Sequence, residues 1–110
     1  MRIKVFLSMR NTDIQAEAIY VGDKITVLPG GTISDSFAEY IQGGNVAKSF
    51  RENSEYVNMN RKIIKKCIFR SPSTAAQFVT VRSVNGYKSW KVERTKNLGT
   101  YLKEKGLRRL

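Results

Sequence analysis

The sequence predicts a small single α+β domain spanning residues 1–110, built from an antiparallel β-meander, two to three helices and a C-terminal strand-helix-strand unit. Three observations lead there. Residues 1–30 alternate apolar and polar side chains between short polar turns. Ser71-Pro72-Ser73 marks a helix start followed by Ala75-Ala76. An Asn85-Gly86 pair then separates that helix from a second alternating run.

In chain order, Ile3, Val5 and Leu7 share one side of a first strand, with Arg2, Lys4, Phe6 and Ser8 on the other. Asn11-Thr12-Asp13 is a turn, after which Ile14, Ala16, Ala18 and Tyr20 alternate with Gln15, Glu17 and Ile19. Gly22-Asp23 turns the chain into a third strand, Lys24 to Leu28, which Pro29-Gly30-Gly31 closes. Ser34 or Asp35 can cap a short helical turn carrying Phe37, Ala38, Tyr40 and Ile41, stopped by Gly43-Gly44. Asn45 caps a further helix, in which Val46, Phe50, Asn53 and Val57 recur at helical spacing. Lys62 to Phe69 reads as a strand with Ile63, Cys67 and Phe69 on one face and Ile64 and Ile68 on the other.

The helix begun at Ser71 groups Ala75, Ala76, Phe78 and Val79 on one arc and Ser73, Gln77 and Thr80 on the opposite one, ending near Arg82-Ser83. Asn85-Gly86 supplies a turn able to take positive φ, leading to a last strand from Tyr87 to Val92 in which Trp90 and Val92 face the same side, Trp90 as a core residue or, alternatively, as a platform for a base. Asn97 caps a terminal helix with Leu98, Tyr101 and Leu102, and Gly106 ends it. Residues 103–110 form a basic tail. No repeat or low-complexity tract interrupts the chain.

Charge narrows the function classes. The chain carries 20 Lys and Arg against 9 Asp and Glu, for a net charge of +11. Residues 1–60 hold six basic and seven acidic side chains, whereas residues 61–110 hold fourteen basic and two acidic, so the second half alone carries +12. Such a concentration points to an anionic partner, because self-repulsion is relieved when a polyanion binds. The competing explanation is solubility alone.

Histidine is absent, which removes the commonest general base, the commonest zinc ligand and the Ser-His and Cys-His nucleophile systems. The single cysteine, Cys67, cannot close an internal disulfide and fits a reducing compartment. No apolar run approaches the ~20 residues of a membrane span, and no leader stretch is evident, so a cytoplasmic location is expected. Converging carboxylates and a Walker-type phosphate loop are both missing from the pattern, so the chain reads as non-enzymatic, with no metal and no cofactor.

The stretch from Phe69 through Ser71-Pro72-Ser73-Thr74-Ala75-Ala76, Arg82-Ser83-Val84-Asn85-Gly86-Tyr87 and Trp90-Lys91 resembles a bacterial family, the domain of unknown function 4357. Its members carry a Ser-Pro-Ser-x-Ala-Ala helix followed by Arg-Ser-x-Asn-Gly-aromatic and Trp-Lys. Ile25 to Ile33, a hydrophobic strand and glycine turn, extends the likeness, while Val81 and Tyr87 stand where the family often has Gly and Trp. The Asn-Gly-aromatic ending is also similar to the restriction-enzyme adenine-methylase-associated domain. The resemblance implies company with GIY-YIG nucleases and restriction or defence proteins, and hence a place beside DNA.

Residues and resemblance together give the expected site. The Ser71 helix start, with Arg70 beside it and no acid in its first turn, could hold a phosphate, with a plain N-cap as the competing explanation. The arc of Ser73 and Gln77 could meet bases. Lys65, Lys66, Arg70, Arg82, Lys88, Lys91 and Arg94 would supply phosphate contacts within residues 61–96. The expected function is a nucleic-acid-binding module, DNA favoured over RNA, with no membrane or small-molecule partner; the rival is an adaptor or inhibitor docking an acidic protein surface.

Overall fold

The computed structural model describes residues 2–22, 24–34, 45–81 and 85–106. Three strands form first: β1 (Arg2–Ser8), β2 (Gln15–Val21) and β3 (Lys24–Val27). β1 and β2 pair antiparallel from Arg2 opposite Val21 to Ser8 opposite Gln15, and β3 continues the meander with Ile25 opposite Tyr20. The alternation read from the sequence holds, since Ile3, Val5, Leu7, Ala16, Ala18, Tyr20, Ile25 and Val27 are all buried on one face. Asn11 makes the first turn at φ 61, a left-handed conformation that asparagine tolerates.

Helix α1 (Asn45–Glu52) follows, then β4 (Cys67–Phe69), helix α2 (Pro72–Thr80), the short helix α3 (Gly86–Ser89), strands β5 (Lys91–Glu93) and β6 (Lys96–Asn97), and helix α4 (Leu98–Glu104). The strands make one six-stranded antiparallel sheet in the order β4-β3-β2-β1-β5-β6. The described helices gather on the face bearing the buried residues. α2 packs across β3 and β4, α1 and α3 pack on α2, and α4 joins α3 to the β5–β6 end.

Three elements differ from the sequence expectation. The strand expected over Lys62–Phe69 is confined to β4; upstream, Lys62 and Ile63 make only isolated bridges, to Thr32 and Val57 respectively. The facing was nevertheless right: Ile63, Cys67 and Phe69 are buried, and Ile64 and Ile68 are exposed. The strand expected over Tyr87–Val92 is half helix, because Asn85 is an N-cap whose Oδ1 accepts from the Tyr87 N–H at 2.9 Å, and strand pairing starts only at Lys91. The basic tail begins later than expected, since Lys103 and Glu104 belong to α4. The short helical turn expected at 35–44 lies outside the described residues, as do Arg82 and residues 107–110.

The core is aromatic at one end. Phe50 stacks edge-on against Tyr56 and Phe69 with centroids 4.8 and 5.0 Å apart, and Phe69 meets Phe78 at 5.3 Å. Arg51 straps α1 to this core, its guanidinium donating to the Phe78 and Ser34 carbonyls at 2.7 and 2.5 Å. That basic residue therefore works as a structural tie, one that charge counting treats as surface.

Candidate functional site

The start of α2 forms as the sequence indicates. Ser71 is the N-cap, its Oγ accepting the Thr74 N–H at 3.2 Å, and Pro72 occupies the first helical position. Yet this end is covered by the chain itself. Ser73 Oγ accepts from the Gly86 N–H at 3.0 Å, and the indole N–H of Trp90, fully buried, donates to the Pro72 carbonyl at 3.0 Å. A Cβ on Gly86 would overlap Pro72 C and Ser73 N, so α3 seats its first residue directly on the α2 start.

Two of the expected site elements are thus drawn into the packing. The half-buried Ser71–Ser73 end of α2 is packed against Gly86 of α3 and against Trp90. Gln77, on the arc expected to meet bases, is 7% exposed, and Thr80 is buried with its hydroxyl donating to the Ala76 carbonyl at 2.8 Å. The physical reason is that α2 has the sheet, α1 and α3 as neighbours, and Gln77 and Thr80 fall among them. A helix wrapped in this way buries its polar arc as well as its apolar one.

The expected basic side chains fall into two groups. Lys65 and Lys66 lie in the exposed approach to β4, with the Lys65 ammonium 5.2 Å from the Tyr56 ring centroid, and Arg70 directly follows the strand. Lys88 is exposed on α3, Lys91 opens β5, and Arg94 is exposed in the β5–β6 turn. β4 and β5 are separated by three strands, so the groups stand roughly 19 Å apart, four spacings of ~4.8 Å. None of these six side chains makes an ion pair among the described residues. By contrast, Lys96 is neutralised by Glu104 at 2.8 Å, a hydrogen bond that also holds its ammonium above its usual pKa.

Between the groups lies a sheet face that the described helices leave bare. On it sit Arg2, Lys4 and Lys24, with Phe6, Val21 and Ile68 exposed at 38, 45 and 59%. Lys91 pairs with Phe6 and so joins the same face, whereas Lys4 is offset by Glu17 at 3.3 Å. Arg2, Lys4 and Lys24 were missed as site residues because their half of the chain is neutral on average. The signal was present in β1, whose even positions alternate outward.

Lys88 and Lys91 also line a cleft of about 310 Å³ at the end of β1. Leu7 and Met9 form its apolar lining, and Ser8, Thr80 and Ser89 its hydroxyl lining. No local pattern could have announced this cleft, because β1 and α3 are brought together by the Phe6–Lys91 pairing across most of the chain.

Among the described residues no group of three or more His, Cys, Asp and Glu could hold a metal ion. Cys67 is fully buried on β4 with its thiol donating to the Lys65 carbonyl, and burial pushes its pKa up to about 12. Among the described residues no helix is long and apolar enough to cross a membrane.

A family model described as "Domain of unknown function (DUF4357)" matches residues 6–102. No curated protein and no solved structure matches the chain.

Proposed function

We propose that this chain, which belongs to the DUF4357 family, is a non-catalytic accessory module that binds nucleic acid, duplex DNA foremost, through the phosphate backbone. The observation that carries the reading is the uncompensated charge: residues 61–110 hold fourteen basic side chains against two acidic ones. Lys65, Lys66, Arg70, Lys88, Lys91 and Arg94 make no ion pair among the described residues, and five of the six are exposed, Lys91 being half-buried. Arg2 and Lys24 extend that charge over the bare face of the sheet.

The spacing of the two basic groups suits a duplex. Roughly 19 Å exceeds the ~12 Å width of a major groove, so the groups can grip phosphates on either side of one groove. Neither the buried Gln77 nor the covered start of α2 offers base readout, so binding is expected to be weakly sequence-dependent.

The test is fluorescence anisotropy with a labelled duplex across a salt series. Engagement of about 4–6 phosphates gives a log–log slope of roughly −4 to −5. Absence of binding at low salt, or affinity indifferent to salt, overturns the proposal, and parallel titrations with single strands and RNA rank the nucleic acids.

One observation favours a second reading, an adaptor that docks an acidic protein. Phe6, Val21 and Ile68 expose apolar surface between basic side chains, as protein-docking faces do. Partner capture that survives nuclease treatment would select it over the first.

A further inference from the structure

The cleft at the end of β1 differs in chemistry from the rest of the basic surface. It is concave, it places Lys88 and Lys91 on one wall system with the apolar side chains of Leu7 and Met9, and among the described residues no Asp or Glu lines it. A second cleft of about 180 Å³, beside Gln15, Glu17 and Gly30, has no cation among its described lining residues. The hydroxyls are not equivalent. Thr80 Oγ donates to the Ala76 carbonyl at 2.8 Å and Ser89 Oγ to the Asn85 carbonyl at 3.0 Å, so the donors the lining has to offer a ligand are those of Ser8, Lys88 and Lys91.

We propose that this cleft binds a phosphomonoester, either the terminal phosphate of a nucleic-acid strand or a free nucleotide. Charge decides for a monoester over an internal diester. A monoester carries about −1.5 to −2 at pH 7, matching two lysines, whereas a diester brings one charge per phosphate. Size agrees: about 310 Å³ lies at the small end of the ~300–1,000 Å³ range of ligand pockets. That volume accepts a phosphate with its sugar against Leu7 and Met9. The proposal deepens the nucleic-acid reading and rests on it only where the phosphate belongs to a strand.

Three probes separate the sources: a duplex with 5′-phosphates, the same duplex with 5′-hydroxyls, and adenosine monophosphate followed by phosphorus NMR. The phosphorylated duplex is expected to bind about tenfold tighter, the size of one charge-assisted contact. Lys88→Gln and Lys91→Gln each erase that preference, so that both duplexes bind alike, at an affinity lowered by the one backbone contact each variant removes. Lys103→Gln, on α4 and away from the cleft, keeps it. Because the second phosphate proton binds near pH ~6, the preference also shrinks as pH falls through that value.

If adenosine monophosphate binds in a Lys91-dependent manner and neither duplex does, the cleft assignment stands and the nucleic-acid reading falls. If both duplexes bind equally and adenosine monophosphate gives no shift, the cleft assignment is overturned and the nucleic-acid reading survives. Circular dichroism of each variant keeps a folding defect from mimicking either result.

Discussion

Gly86→Ala tests the packing that positions the cleft. Gly86 is buried, and its φ is not among the positive ones, so the glycine is required by contact and not by backbone conformation. An added methyl would overlap the backbone of Pro72 and Ser73, atoms that cannot swing aside as a side-chain tip would. α3 must therefore back away from α2 by something on the order of an ångström to restore ordinary carbon contact. That motion stretches the Gly86 N–H to Ser73 Oγ bond and the Trp90 indole to Pro72 carbonyl bond, both 3.0 Å in the native fold. Overpacking costs about 1–3 kcal/mol and each weakened bond about 1 kcal/mol, for a total of roughly 3–5 kcal/mol. Against an expected stability of about 5–15 kcal/mol for a domain of this length, that is a severe loss.

Urea unfolding followed by the fluorescence of Trp90, the only tryptophan, reads the effect directly. At ~2 kcal/mol per molar the midpoint should fall by about 2 M. Gly86→Asn sharpens the test. Were positive φ the reason for glycine, Asn would outperform Ala, because it tolerates the left-handed region. Close packing predicts that Asn does no better. A loss below ~1 kcal/mol in Gly86→Ala, or recovery in Gly86→Asn, would refute the packing account.

Two other perturbations follow from the same fold. Val81 closes α2 at φ 56, ψ 23, where a β-branched residue is strained, so Val81→Gly should stabilise by about 0.5–1 kcal/mol after the entropy cost of glycine and raise Tm by a few degrees; a lower Tm would mean the Val81 side chain contributes more by packing than it costs in strain. Cys67 stays a thiol in the fold up to about pH 12, while in the unfolded chain it ionises near ~8.5, so the unfolded state holds fewer protons above that pH and stability falls as pH rises. Between pH 8 and pH 10 the native protein should lose ~2 kcal/mol more than Cys67→Ala, measured by urea unfolding at each pH, and identical pH profiles would refute the assignment.

Much of the fold was legible because local chemistry fixed it. Alternation set the buried face of β1, β2 and β3, and the Ser71-Pro72 and Asn97 caps set the starts of α2 and α4, where each cap accepts the N–H of the third residue on. Elements misread were those in which two local patterns compete. Asn85-Gly86 fits a hairpin turn as well as an N-cap and tight-packed glycine, and only the presence of Pro72 and Ser73 against Gly86 decides between them. Lys62–Phe69 alternates like a strand along its length, but β3 is short and pairs only with Cys67–Phe69.

The sequence by itself determined the family, the α+β class, the inward face of each major strand, and the segregation of positive charge into residues 61–110. Each of these depends on residue type and near neighbours. Tertiary structure decided which of those charges stand together. β4 and β5 take opposite sides of the meander, so one basic stretch of sequence becomes two groups; α3 covers the α2 start, and β1 meets β5 to build the Lys88–Lys91 cleft. The physical reason is that sheet order and helix docking are set by long-range burial, which brings distant segments into register and which no local spacing records.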